Sequence, residues 1–199
     1  MTLPQEYFDA LYAEAADPWG FTDRWYERRK RALTLALLPQ ERYGSAYEPG
    51  CSIGVLTREL AGRCDRLLAT DVAPAAVDAA RARCADLPGV TVERATLPDD
   101  WPDAHVDLAV LSEVGYYFAR DDARKVAARA FAGADTVVAV HWRHRVEDYP
   151  LSGDVVHTLL EEAAESLGFG WITQHVDEDI RADVWSVDPR SVAARTGLA

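Results

Sequence analysis

The chain has 199 residues, of which 49% are apolar and 27% are charged, a composition typical of a single folded domain with a sizeable core. Its 21 lysines and arginines against 33 aspartates and glutamates give a formal net charge of −12. This acidic balance argues against a nucleic-acid partner and against binding to an anionic membrane surface, because both need clustered basic side chains.

Signals for targeting and for covalent cross-links are sparse. No apolar run approaches the roughly 20 residues of a membrane-spanning helix, and residues 1–6 lack the basic and apolar segments of a secretory signal. Cys51, Cys64 and Cys84 form no Cys-x-x-Cys pair, so neither a disulfide framework nor a metal site is expected. We therefore expect a reduced, soluble, cytoplasmic protein.

The first 40 residues predict a helical cap. Residues 4–16 place four apolar and aromatic side chains on one helical face. A turn at 17–20 separates this helix from a second one, predicted over 22–38 with Thr22 as its N-cap.

Strand-like and helix-like segments alternate over the rest of the chain. Strands are predicted at 45–48, 66–70, 90–94, 106–112 and 136–141, with helices at 55–62, 74–84 and 121–132. A helix from Ser152 to Leu167 follows, and the strands 171–176 and 183–187 are joined as a hairpin. This order predicts one α/β domain over 1–199, with a doubly wound, Rossmann-like, mostly parallel sheet and one antiparallel strand from the hairpin.

The turn after the first strand is the most informative stretch. Residues 48–54 read Glu-Pro-Gly-Cys-Ser-Ile-Gly, and glycine there lets a ligand approach the backbone and the N-terminus of the next helix. Asp71 ends the second strand 21 residues after Gly50, where a carboxylate can accept hydrogen bonds from ribose hydroxyls. The alternative for Asp71 is a helix N-cap or a surface turn ahead of Pro74. The combined order favours a nucleoside cofactor.

The glycine pattern differs from the dinucleotide fingerprint, because Ser52 takes the place of its second glycine and the third is missing. The acid Glu48 ahead of the turn, together with the terminal hairpin, resembles the class I S-adenosyl-L-methionine (SAM) methyltransferases. That resemblance implies SAM as cofactor and S-adenosyl-L-homocysteine (SAH) as product. It also implies that Glu48 lies near the methionine amino group and that Asp71 holds the ribose.

Further segments resemble a narrower group, the nodulation S methyltransferases, and Ser52 is normal for that group. The segments are Asp17–Trp19, Trp25–Lys30, Glu48–Gly54, Leu111–Val114 with Tyr116 and Tyr117, and His141–His144. The resemblance implies N-methylation of the amine of a deacetylated chitooligosaccharide. One departure from the wider family is Thr96, which stands where an acid near the adenine is often found.

The residues predicted to bind the cofactor come from the cap, the turn and the strand ends. They are Trp19, Tyr26, Arg29, Glu48, Gly50, Cys51, Gly54, Asp71, Thr96, Leu97 and Ser112. Arg29 lies three residues after Tyr26 and four before Leu33, which predicts an inward guanidinium paired either with the SAM carboxylate or with a structural acid. Trp19 and Tyr26 either cover the cofactor or belong to the core.

Three side chains are predicted to take the proton that an amine must lose before it attacks a methyl group. They are His144, with Glu113 or Asp148 as second candidates, since ligands bind beyond the carboxyl ends of parallel strands. The structural alternative is that His141 caps its strand and Glu113 caps the next helix.

The sequence thus predicts a SAM-dependent methyltransferase acting on a small-molecule acceptor, an amine of an aminosugar or a related metabolite. An O-methyltransferase of a natural-product pathway and a non-catalytic SAM-binding protein are the alternatives, an NAD-dependent reductase is less favoured, and the oligomeric state is open. Residues 147–188 contain 11 acids and one base, Arg181, and so carry most of the net charge. This acidic portion is expected to attract a cationic acceptor.

Overall fold

The computed structural model describes all residues, 1–199. The strands are β1 Tyr43–Pro49, β2 Cys64–Asp71, β3 Val90–Arg94, β4 Val106–Ser112, β5 Ala134–Trp142, β6 Gly170–Val176 and β7 Ile180–Ser186. The helices are α1 Gln5–Glu14, α2 Trp25–Leu37, α3 Val55–Leu60, α4 Pro74–Arg83, α5 Arg120–Gly133, α6 Gly153–Ser166 and α7 Val192–Arg195. No helix combines the length and the apolar character that crossing a membrane requires.

All seven strands form one sheet in the order β3-β2-β1-β4-β5-β7-β6. The pairings among β1 to β5 are parallel, whereas β7 is antiparallel to both β5 and β6. The predicted α/β fold with one antiparallel hairpin strand is therefore confirmed. The strand order reverses between β1 and β4, and in open α/β sheets ligands bind beyond the carboxyl ends of the strands at such a point.

The core lies on both faces of the central strands. Leu108–Leu111 of β4 and Val137–Val140 of β5 are almost completely buried, as expected for parallel strands covered by helices on each side. One hydrophobic cluster packs the sheet against α5 and α6, and a second packs the opposite face against α3 and the end of α2. This rigid centre fixes the edge of the sheet at which the strands end.

The predicted helix boundaries agree with the structure to within three residues. Ser152 caps α6 as predicted, because its hydroxyl accepts a hydrogen bond from the backbone N–H of Val155. Thr22, however, is not the N-cap of α2, so this prediction was wrong. Its backbone N–H and hydroxyl both donate to the carboxylate of Asp17, which organises the preceding turn instead.

Candidate active site

A cavity of about 840 Å³ opens at the carboxyl edge of the sheet, between the ends of β1, β2 and β4 and the cap formed by α1 and α2. This volume lies within the range of small-molecule and cofactor sites. Most of its lining residues are hydrophobic, and a few charged groups converge at each end. The end of the cavity beside β1 and β2 is the β1–β2 end, and the end beside β4 and β5 is the β4–β5 end.

The turn after β1 forms the floor of the β1–β2 end. Gly50 adopts a φ of +69°, and a Cβ added there would lie 2.8 Å from a methyl group of Val114. Gly54 also has a positive φ, but it packs against the backbone of Ala80 and lies outside the cavity lining. The two glycines therefore differ. Gly50 forms part of the cavity wall, whereas Gly54 affects the site only by packing the turn against α4.

Asp71 lies at the end of β2 and faces the cavity. Its carboxylate accepts hydrogen bonds from the backbone N–H groups of Ser52, at 2.8 Å, and Ala73, at 3.0 Å. It thereby ties the turn after β1 to the residues ahead of α4 and lines the cavity, but it is not the N-cap of α4, which is Ala73. Burial raises the pKa of Asp71, although these hydrogen bonds oppose the rise.

Glu48 is the most deeply buried acid of the β1–β2 end, with only 3% of its surface exposed. Its Oε2 has no hydrogen-bond partner, which is rare for a buried carboxylate oxygen. Burial raises the pKa of Glu48 to about 8, a rise that the Thr57 hydroxyl opposes and the nearby Asp71 carboxylate increases. A carboxyl group in this position favours a ligand that brings its own hydrogen-bond donor or positive charge.

The inward face of α2 carries a stripe of polar residues. Glu27, Lys30, Arg31 and Thr34 are all buried, and their spacing of three, four and seven residues puts them on one face of the helix. The ammonium group of Lys30 lies 2.8 Å from Glu27 and 3.0 Å from Glu113. This ion cluster joins the cap to the end of β4.

The prediction that Arg29 faces inward was wrong. Its side chain is 43% exposed, lies outside the cavity lining and pairs with Asp177 at 2.8 Å. The adjacent Lys30 takes the inward direction, because the buried stripe of α2 is centred one residue further along the helix. Arg24 and Arg31 are the guanidinium groups that line the cavity.

Glu113 follows β4 with a φ of +58°, a left-handed conformation that is uncommon for a residue other than glycine. Its Oε2 accepts hydrogen bonds from the Tyr116 hydroxyl and from the Trp142 backbone N–H, and its Oε1 pairs with Lys30. Glu113 does not cap the next helix, whose N-cap is Ala119. The structure instead aims this carboxylate into the cavity, where three donors hold it.

The other two candidates for proton transfer lie outside the cavity lining. His144 has a half-exposed side chain and pairs with Asp179 at 2.7 Å. It lies against the ring of Trp142, which lines the cavity itself. Asp148 is exposed on the loop that follows β5. Of the three candidates, the structure therefore brings only Glu113 to the cavity.

Aromatic side chains form the wall of the β4–β5 end. The rings of Tyr116 and Tyr149 are stacked with centroids 4.9 Å apart, and Tyr117 packs edge-on against Tyr149 at 4.8 Å. Phe8 of α1 reaches the same group through an edge contact with Tyr117. Together with Glu27 and Lys30, these rings are among the site residues that the sequence analysis did not assign.

The cap also closes over the β1–β2 end. The hydroxyl of Tyr12, on α1, lies 2.5 Å from that of Ser52 in the turn after β1. Trp19 packs edge-on against Tyr12, and both rings line the cavity. Of the other predicted cofactor-binding residues, the lining includes Tyr26, Cys51, Thr96, Leu97 and Ser112.

Comparison with known proteins places the chain among nodulation proteins. The sequence pattern of the nodulation protein S (NodS) family matches residues 8–139. Nodulation protein S of Rhizobium tropici is 35% identical over 104 residues, which are 52% of this chain and 44% of that protein. The protein of the same name from Bradyrhizobium diazoefficiens is 30% identical over 102 residues, 51% of this chain and 49% of that protein. The chain thus spans about half the length of the curated relatives it matches.

Solved structures extend the likeness along the chain. A protein from Pseudomonas syringae, assigned as a methyltransferase, is 43% identical, with a TM-score of 0.71 over 82% of this chain and 99% of that one. N-methyltransferase NodS from Bradyrhizobium japonicum WM9, in complex with SAH, is 22% identical, with a TM-score of 0.81 over 94% of this chain and 98% of that one. The fold is the Rossmann-like fold of methyltransferases, and by its sequence the chain belongs to the nodulation protein S family.

Proposed function

We propose that the chain is a SAM-dependent methyltransferase that transfers a methyl group to the amine of a small molecule, an aminosugar or a related compound. The observation that carries the proposal is a single cavity whose two ends hold different sets of charged groups. An unpartnered buried carboxyl, Glu48, stands beside Asp71 at the β1–β2 end, and two carboxylates share Lys30 at the β4–β5 end.

The β1–β2 end fits SAM. The unpartnered Oε2 of Glu48 would accept a hydrogen bond from the methionine amino group, and Asp71 would accept from the ribose hydroxyls. Arg24 lines the cavity and offers a positive charge for the methionine carboxylate in place of Arg29, whereas the guanidinium of Arg31 is paired with Glu59. Thr96 lies on the wall near the end of β3, where its hydroxyl is available to the adenine, whereas its backbone N–H and carbonyl are hydrogen-bonded to Asp100.

When bound, the cofactor supplies an electrophilic methyl group on a sulfonium. The chain then has to align a nucleophile with this methyl group and to keep the nucleophile unprotonated, and alignment alone can supply much of the acceleration. Glu27 and Glu113 line the cavity and would hold an incoming ammonium group between them. Either carboxylate can receive the proton that the ammonium loses, and burial raises the pKa of Glu27, which suits it to that role.

The β4–β5 end fits an amine carried on a ring. Stacked aromatic side chains attract cations and also pack against the flat apolar faces of sugar rings. Tyr116, Tyr117 and Tyr149 provide such surfaces next to the two carboxylates. The aminosugar is the acceptor that the family relationship favours, and the site offers groups suited to it.

Calorimetry and a transfer assay test this function. We expect the chain to bind SAH, to leave NADH unbound, and to methylate glucosamine or deacetylated chitotetraose in a mass-spectrometric assay. Asp71→Asn should weaken SAH binding about 10- to 100-fold, the range for loss of a hydrogen bond to a charged group. Asp78→Asn is a matched control, because Asp78 is an exposed acid of the neighbouring helix α4.

Binding of NADH without SAH would overturn the proposal. Tight SAH binding without methylation of any amine would reject the acceptor and leave a SAM-binding protein. Methylation only of hydroxyl acceptors would identify an O-methyltransferase.

A further inference from the structure

Three polar side chains form a connected series in the core behind the β4–β5 end. Asp183 of β7, His157 of α6 and His141 of β5 are each completely buried. The carboxylate of Asp183 lies 2.5 Å from Nδ1 of His157, and Nε2 of His157 lies 3.1 Å from Nδ1 of His141. The series ends on the backbone of Gly115, whose N–H donates to Nε2 of His141 at 3.1 Å. None of the three side chains lines the cavity.

The hydrogen bonds of this series have a single direction. Because Nε2 of His141 accepts from Gly115, the ring proton of the neutral imidazole must sit on Nδ1, which donates to His157. The proton of His157 then sits on its own Nδ1 and donates to Asp183. Burial lowers the pKa of both histidines, which keeps the rings neutral and preserves this order.

Asp183 is itself held from outside the series. Arg181 donates to its Oδ2 at 2.7 Å, and Gln174 donates to its Oδ1 at 2.8 Å. Every member of the series therefore has partners on both sides. A fully satisfied polar network of this kind fixes the position of each group more tightly than apolar packing does.

The segment 113–117, on which the series ends, has a backbone that needs such support. Glu113 is in the left-handed conformation, and such conformations persist only where the surroundings fix them. Two residues later, Gly115 packs so closely against the core that an added Cβ would collide with Val156 and lie 3.0 Å from Nε2 of His141. The neighbouring Tyr116 donates to the carboxylate of Glu113. The backbone at Gly115 thus determines where both side chains meet the cavity.

We propose that Asp183, His157 and His141 are positioning residues, which anchor the backbone at Gly115 and thereby hold Glu113 and Tyr116 in place at the β4–β5 end. The catalytic consequence rests on the proposed methyltransferase function, whereas the anchoring itself does not. Three buried polar groups cost desolvation energy that apolar residues of similar volume would not. A role in positioning the segment 113–117 accounts for their presence and for the point at which the series ends.

Two amide variants of His141 distinguish a role in positioning the backbone at Gly115 from a role that only fills space in the core. In His141→Gln the side-chain amide reaches the place of Nε2 and can still accept from Gly115. In His141→Asn the shorter amide reaches only the place of Nδ1, so it keeps the bond to His157 and loses Gly115. Hydrogen exchange measured by mass spectrometry on the full chain reports directly on the Gly115 N–H and needs no substrate.

We expect the peptide over 113–118 to exchange at least tenfold faster in His141→Asn, with the peptide over α5 unchanged. His141→Gln keeps the Gly115 acceptor and loses the bond to His157, so its exchange at 113–118 should lie between wild type and His141→Asn. With glucosamine as acceptor, kcat should fall at least tenfold in His141→Asn, while the Kd for SAH stays within threefold. If His141→Asn does not fold, His157→Asn keeps the bond to Asp183, cuts the link to His141 and should speed exchange at 113–118 by about as much as His141→Gln does.

Equal exchange at 113–118 in the two His141 variants would overturn the proposal, as would faster exchange over the whole chain in proportion to lost thermal stability. A wild-type chain without methyl transfer would instead reject the proposed function. The exchange data would then still decide the anchoring.

Discussion

The two ends of the cavity are built in different ways. At the β1–β2 end, Glu48, Asp71 and the turn between them come from 24 consecutive residues on two neighbouring parallel strands. At the β4–β5 end, Glu27, Lys30 and Glu113 meet Trp142 across more than one hundred residues of chain. The first end follows from where strands stop, and the second from how helices and loops pack over them.

Their electrostatics differ as well. Glu48 is a buried carboxyl whose Oε2 has no partner, so the β1–β2 end is incomplete until a ligand supplies a donor. At the β4–β5 end the carboxylates of Glu27 and Glu113 share the Lys30 ammonium and are balanced in part before any ligand arrives. We therefore expect substitutions to separate the ends, with binding effects at one and turnover effects at the other.

The largest expected effect is on turnover. Glu113→Gln should lower kcat for methyl transfer to glucosamine by about 100-fold or more, because the amide holds no negative charge and accepts no proton. The Kd for SAH should change less than threefold. His144→Ala is the control, since His144 lies outside the cavity, and its kcat should stay within threefold of wild type. A large loss of kcat in His144→Ala, together with a normal kcat in Glu113→Gln, would assign the role in turnover to His144 instead of Glu113.

A smaller effect is expected from pH at the β1–β2 end. With a pKa of about 8, Glu48 of the free chain holds a proton at pH 6 and 7, and pairing with a cationic amino group expels it. The affinity for SAH should therefore rise about tenfold per pH unit from pH 6 and level off near pH 8. Calorimetric titrations in two buffers would also detect the released proton. A Glu48→Gln chain with the same pH dependence would contradict this assignment.

Glu48 also makes folding stability depend on pH, and this dependence is opposite to that of SAH affinity: stability falls as the pH rises. Because the folded chain holds a proton on Glu48 above the usual pKa of 4.5, the contribution of this group to stability falls as the pH rises from about 4.5 to 8. Glu48→Gln should remove that part of the pH dependence of Tm.

The smallest effect is expected at Arg29. Arg29→Ala should leave the Kd for SAH within twofold of wild type and lower the unfolding free energy by less than about 1 kcal/mol, because it breaks only an exposed ion pair with Asp177. Calorimetry and thermal unfolding measure the two quantities. A tenfold loss of affinity would restore the inward role predicted from the sequence.

The sequence sufficed where the determinants are local. The turn at 48–54, the acid at Asp71 and the strand ends follow from spacing along neighbouring strands, and the structure brings Glu48, Gly50 and Asp71 to one cavity. The hairpin could also be predicted, since an acidic turn separates two strand-like runs.

The β4–β5 end could not be predicted in the same way. Apolar spacing around Tyr26 and Leu33 predicts an inward Arg29, whereas the buried stripe of α2 includes Glu27 and Lys30, and the partner of Lys30, Glu113, follows a distant strand. The place of His144 after β5 predicts a role in the site, but its side chain is directed outward to Asp179. The signal in the sequence that indicates this buried face is the set of charged residues at helical spacing on α2.

The reversed direction of β7 has a consequence for the order in which the molecule assembles. Because β7 is antiparallel to β5, its first residues lie beside the last residues of β5, with Ala139 opposite Asp183 and His141 opposite Arg181. Asp183, the last member of the polar series behind Glu113, thus comes from a strand that leaves the ribosome about 70 residues after Glu113. Pairing of such distant segments is slow and follows local structure. Strand β7 must therefore be synthesised before the β4–β5 end can take its final shape.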